Sequence, residues 1–152
     1  MQKGIFCTNG DWLLFIILFS YFYDMTSLIS QGIEVSVEAF YQSEQSNPMQ
    51  SEYLFAYKIV LENHNAFPVK LISRHWNIFD SNGTYREVNG EGVVGMQPTI
   101  LSGEHYQYLS ACNLRTEMGR MDGRYRMENL HSKKFFDVDI PAFEMIVPMK
   151  NN

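Results

Sequence analysis

Any chemistry this chain performs has its most suggestive residues at positions 87–98, Glu-Val-Asn-Gly-Glu-Gly-Val-Val-Gly-Met-Gln-Pro. Gly90, Gly92 and Gly95 stand at the spacing of a dinucleotide fingerprint, in which glycines let backbone N–H groups approach a pyrophosphate. A fingerprint of that kind must also leave a strand and open a helix whose N-terminus holds the phosphate. Residues 84–88 read as the strand, but Pro98 has no N–H and restrains Gln97, so no helix can run on from Gly95. The stretch therefore reads as a glycine loop on a β-protein. Such a loop can still cradle an anion, because successive amides form a concave nest without a helix, and nearby arginines could add bidentate forks. The candidate binding set for a pyrophosphate or nucleotide is Gly90, Glu91, Gly92, Gly95, Gln97, Arg115, Arg120 and Arg124. Gly92→Val is expected to abolish such binding by blocking backbone approach, while the fold survives.

Other chemistries find little to work with. Glu44, Glu52 and Glu91 have no spacing that pairs them, and no nucleophile, base and orienting group can be read together, so no catalytic residues are assigned and the expectation is a protein without enzymatic activity. His64, His75, His105 and His131 are scattered, with no His-x-His or helical i, i+4 pair, so neither a metal site nor a cofactor is expected. Cys7 and Cys112 are the only cysteines and form no paired motif, which removes a disulfide framework. A formal charge of −5 argues against a nucleic-acid partner bound through bulk electrostatics; the local exception is Arg115, Arg120, Arg124 and Arg126.

The elements that would have to position these groups are strands. At 152 residues, 45% hydrophobic and 14% aromatic, the chain suits one globular, strand-rich domain. Residues 33–41 alternate Ile33, Val35, Val37, Ala39 and Tyr41 with polar positions, the pattern of a half-buried strand. Residues 52–62 are apolar on both faces, as in a central strand. Residues 69–80 follow, with Ile72, Trp76 and Ile78 assigned to one face, Trp76 to the core, Arg74 to the Trp76 side and His75 to the opposite side. Asp80-Ser81-Asn82-Gly83 is a hairpin signal that returns the chain into 84–88. Strands are further expected at 104–110, 123–127, 135–140 and 143–147. Residues 114–122 are expected to be irregular, and Pro141 to break the final strand. Short strands, turns about every ten residues and no helical period point to an all-β sandwich.

Ahead of this body, residues 12–23 form an unbroken apolar run. Twelve residues fall short of the ~20 a spanning helix needs. With only Lys3 before it, Asp11 against it and no Ala-x-Ala-like site behind it, the run is a poor secretory signal. The expectation is that Met25 is the physiological start, or that the preceding residues are a loosely attached tail. Residues 1–32 are accordingly read as an N-terminal extension, with 26–32 a polar lead-in, and 33–152 as the domain. If present, the run would have to fold back or be covered by self-association, for instance in a homodimer.

Taken jointly, several segments resemble the ApaG family, also called CorD. They are the 52–62 strand with its Phe-Ala-Tyr core, Ser73-Arg74-His75-Trp76 leading to Asp80-Ser81-Asn82-Gly83, and the glycine loop through Pro98. To these add Tyr108-Leu109-Ser110, Thr116 with Gly119, Met121, Gly123 and Tyr125, and Ile140-Pro141-Ala142-Phe143. Glu117 departs from the proline expected after the threonine. The resemblance implies an immunoglobulin-like or fibronectin type III-like β-sandwich, located in the cytoplasm and associated with cobalt resistance and magnesium efflux. It also implies an interaction module with a protein partner, and brings no catalytic residues with it.

Overall fold

A computed structural model of the chain describes residues 25–149; the readings made for residues 1–24 lie outside them. Two antiparallel sheets face each other. The first has the order β1-β2-β3-β7, built from β1 (Thr26–Ser30), β2 (Ile33–Tyr41), β3 (Tyr53–Asn63) and β7 (His105–Leu114). The second has the order β5-β4-β8-β9, from β4 (Val69–Asp80), β5 (Tyr85–Glu91), β8 (Met118–Asn129) and β9 (Phe135–Ile146), with the two-residue β6 (Thr99–Ile100) beside the start of β4. This Greek-key order is that of the immunoglobulin-like and fibronectin type III-like sandwiches.

Alternation builds the core. Ile33, Val35 and Val37 of β2 and Phe55, Tyr57, Ile59 and Leu61 of β3 meet Trp76, Ile78, Met121, Tyr125, Met127, Val138 and Phe143 from the other sheet. Trp76 is buried as expected, edge-on to Tyr57 at 5.6 Å, Phe143 at 6.1 Å and Tyr125 at 6.3 Å between ring centres. Behind it, the hydroxyls of Tyr108 and Tyr125 share a buried hydrogen bond of 2.5 Å. Burial drives the acidity of both well below that of an ordinary tyrosine, so the pair stays neutral in the core.

Several expectations are corrected. Residues 26–30 are a strand, β1, paired with β2 from Thr26↔Val37 to Ser30↔Ile33, through a tight turn with Gln31 and Gly32 at φ 51° and 73°. Exposure of Leu28 and Ile29 on an edge strand concealed the pattern. Residues 114–122 are mostly strand, and only 115–117 turn between β7 and β8. Gly119, expected in irregular chain, and Gly123, expected at the start of a strand, both lie in β8: a Cβ at Gly119 would come within 2.6 Å of Phe79 O, and one at Gly123 within 2.1 Å of His75 O. Glycine stands there because a neighbouring backbone presses close. Pro141 does not end β9, because β9 lies at the sheet edge, where a missing N–H is tolerated. Ile72 leaves the inward face: the register of β4 against β8 shifts between Leu71 and Ser73, so Val69 and Leu71 point inward before that shift and Trp76 and Ile78 after it.

A side chain bridges each flank of the sandwich among the described residues. The Asp139 N–H of β9 donates to Ser30 Oγ of β1 at 2.8 Å. On the other flank Arg86 Nη2 of β5 donates to Asn113 O of β7 and lies 3.3 Å from Cys112 Sγ. Cys112 is a buried free thiol whose proton is held more tightly through burial.

Candidate functional site

The glycine stretch is a hairpin pinned to the irregularity in β4. Val93 N donates to Met96 O at 2.7 Å and Met96 N to Val93 O at 3.0 Å. Between them Val94 and Gly95 have φ of 49° and 74°, the two positive values that a tight primed turn demands. Gly92 N and Gln97 Nε2 both donate to Ile72 O, at 2.8 and 2.9 Å, and Leu71 N donates to Pro98 O. No helix follows Gly95, as read from Pro98.

Gly92, at φ 57°, is required by this packing: a Cβ there would lie 2.0 Å from Met96 O. The expectation that Gly92→Val would spare the fold is therefore corrected, since the bulk would strike backbone. Gly90 is not in the loop; it lies in β5 opposite Arg74, and its missing side chain makes room for that guanidinium. Arg74, on the Trp76 side of β4 as expected, donates to Glu91 O at 3.0 Å and Gly92 O at 2.7 Å. The amides of Gly92, Val93 and Met96 are thus all engaged within the protein.

Arg115, Arg120 and Arg124 do not converge. Arg115 sits 3.7 Å from Glu52. Arg120 stacks over Phe79 at 5.1 Å and pairs with Asp122 at 3.4 Å. Arg124 alone joins Gly90 and Glu91, in an open concavity of about 470 Å³ on the outer face of the second sheet. Ser73, Arg74, His75, Asn89, Arg126 and Asp137 complete its lining.

Cross-strand register makes this face. The strands carry Asn89, His75, Arg124 and Asp139 side by side in one row, and Glu91, Ser73, Arg126 and Asp137 in the next. His75 points outward as expected, its Nδ1 2.5 Å from Asn89 Oδ1 and its Nε2 3.1 Å from Asn77 Oδ1. Asn77 donates its amide to Asp122 Oδ1 at 2.7 Å, which turns its oxygen toward His75 and makes Nε2 a donor. Tyr85 closes this network with its hydroxyl 2.5 Å from Glu87 Oε1, and that bond pushes its pKa up to about 12. Arg126 pairs with Asp137 at 3.2 Å and lies over Phe135 at 5.4 Å. Arg124 is exposed and makes no hydrogen bond or ion pair among the described residues. The sequence singled out Arg124 but left His75, Asn89, Arg126 and Asp137 outside the set; their common signal is outward phase on four neighbouring strands, which only pairing reveals.

Fold and face together define a small Greek-key β-sandwich with a mixed-charge outer face on which Arg124 stands among hydrogen-bonded polar side chains. The ApaG domain family matches residues 43–129. ApaG proteins of Brucella anthropi and Rhizobium leguminosarum bv. trifolii are 46% and 47% identical over 124 residues, which is 82% of this chain and 95% of each relative. A crystal structure described as the ApaA protein of Bordetella pertussis superposes with a TM-score of 0.74 at 40% identity, covering 78% of this chain and 95% of that one. A second X-ray structure, a structural-genomics target, gives 0.74 at 37% identity over 82% of this chain and 97% of its own. This chain belongs to the ApaG family.

Proposed function

We propose that the chain is a non-catalytic interaction domain whose protein partner docks on the outer face of the second sheet and delivers a carboxylate to Arg124. The observation that carries this reading is the unpaired, exposed guanidinium in an open concavity whose other charged and polar groups are largely engaged. A guanidinium with all its donors turned to water is suited to a bidentate acidic contact, and sandwich domains commonly bind through surfaces held on a rigid scaffold. Among the described residues no helix is long and apolar enough to cross a membrane. Any part in cobalt resistance and magnesium efflux, which the resemblance implies, is on this reading exerted in the cytoplasm through the partner.

The test is capture from native cells with the full chain as bait, wild type against Arg124→Glu. Proteins retained by the wild type and lost with the variant are expected; an identical catch from both baits, or a chemical product made by the purified protein, sinks the reading. A pyrophosphate or nucleotide ligand at the same place is the second reading, favoured by two arginines, Arg124 and Arg126, lining one concavity from the outer face of β8. Saturable calorimetric heat with pyrophosphate or ATP that disappears in Arg124→Ala would select it. Because the amides of Gly92, Val93 and Met96 are already bonded within the protein, side chains would have to supply most of the grip.

A further inference from the structure

The outer face of the first sheet carries a donor set that no part of the proposed function uses. Glu34 of β2 and Glu62 of β3 are direct cross-strand partners, both directed away from the core side on which Ile33, Val35, Leu61 and Asn63 lie. Two carboxylates directly opposite each other destabilise a sheet unless a positive charge joins them. Four residues further along, the same two strands set Glu38 against Lys58, a matched pair. Among the described residues the Glu34 and Glu62 row has no such lysine or arginine. It has imidazoles: His64, one residue beyond β3, lies with Nε2 3.0 Å from Glu34 Oε2, and His105 of β7 stands opposite Glu62 in the register. One ligand atom each from Glu34, Glu62 and His64 fall within 4.8 Å of one another.

The frame behind these groups is fixed. Ser27 Oγ donates to Glu34 Oε1 at 2.7 Å, orienting that carboxylate and leaving Oε2 toward the histidine; with the His64 contact it holds the Glu34 carboxyl below its ordinary range. His64 N donates to Gly32 O at 2.9 Å, and the preceding Asn63, fully buried, spends its side-chain amide on Phe67 O and Ile100 O. Hydrogen-bonded carboxylates and a histidine carried on a locked backbone are how metal ligands are held in place.

We propose that Glu34, Glu62 and His64 bind a borderline divalent transition ion of the zinc type, with the ion replacing the proton shared between His64 and Glu34. Mixed imidazole and carboxylate donors suit such ions better than magnesium or calcium, which favour all-oxygen shells. Three protein ligands leave open positions for water or for His105.

The test is calorimetric titration of the full chain with zinc alone, repeated on Glu62→Gln, His64→Gln and, as a control on the matched row, Glu38→Gln. One saturable site is expected. Its affinity should fall at least ~10-fold in the first two variants and stay unchanged in the third, with the metal-free Glu62→Gln protein melting no lower than the wild type. In the wild type, zinc should move the backbone amide resonances around residues 34, 62 and 64. Absence of saturable binding up to ~1 mM zinc, which means binding weaker than about −4 kcal/mol, would overturn the proposal. Binding that survives both Glu62→Gln and His64→Gln would do the same.

Discussion

The glycine hairpin at residues 92–96 and the β7–β8 turn at residues 115–117 exchange the roles their sequences suggest. The hairpin has the glycines of an anion cradle, yet its amides of Gly92, Val93 and Met96 bond to Ile72, Met96 and Val93 within the protein. The turn, read as irregular chain bearing an arginine, is the place where backbone amides do surround an anion. Arg115 N lies 3.1 Å and Thr116 N 3.1 Å from Asp80 Oδ1, and Thr116 Oγ1 adds a donor at 2.7 Å. That anion is the protein's own carboxylate, 7% exposed at the end of β4. Glycine spacing alone therefore says that backbones come close; where the N–H groups point decides whether anything binds.

Four substitutions break or sharpen this contrast. The largest effect is expected from Gly92→Val, which sets a branched side chain at positive φ against Met96 O; a loss of about 4 kcal/mol in urea unfolding follows from adding the backbone strain to the overlap. Wild-type stability for this variant would mean that the hairpin is open after all, and would restore the cradle. Asp80→Ala comes next: it leaves the Arg115 and Thr116 amides without their acceptor and should lower stability by about 3 kcal/mol, with faster hydrogen exchange at both amides. Unchanged exchange there would remove the turn from the comparison. Thr116→Val deletes one donor to Asp80 and keeps the shape, so about 1.5 kcal/mol is expected by calorimetric melting. Smallest, and opposite in sign, is Val94→Asn. Val94 is a β-branched residue at φ 49° with its side chain exposed, and asparagine tolerates that geometry, so a gain of about 1 kcal/mol is expected. A lowered melting temperature would show that Val94 has packing which its exposure conceals.

Legibility followed the range over which each signal acts. Period-two alternation located β2 and the start of β9, an apolar run on both faces located β3, and Asp80-Ser81-Asn82-Gly83 gave the hairpin, with Gly83 at φ 87°. Those are local properties of the chain. Gly119 and Pro141 were misread because their meaning is set by neighbours: Phe79 O presses on the glycine, and an edge position excuses the proline. The candidate site was half legible for the same reason. Arg124 was found from its crowding with other arginines, but its companions His75 and Asn89 come from β4 and β5 and join it only through register. The row of Glu34, Glu62 and His64 was invisible because 28 residues separate its carboxylates in the chain while one hydrogen-bonding step separates them in the sheet.

Ser30 and Arg86 act as latches, one on each side of the molecule. A foreign strand seeking to extend either sheet along those borders would have to displace one of them and leave a main-chain group briefly without a mate, a penalty of about 1 kcal/mol before any new pairing begins. Copies of the protein are thereby discouraged from zipping together border to border, and recognition is left to the broad surfaces, where side chains rather than main chain do the choosing.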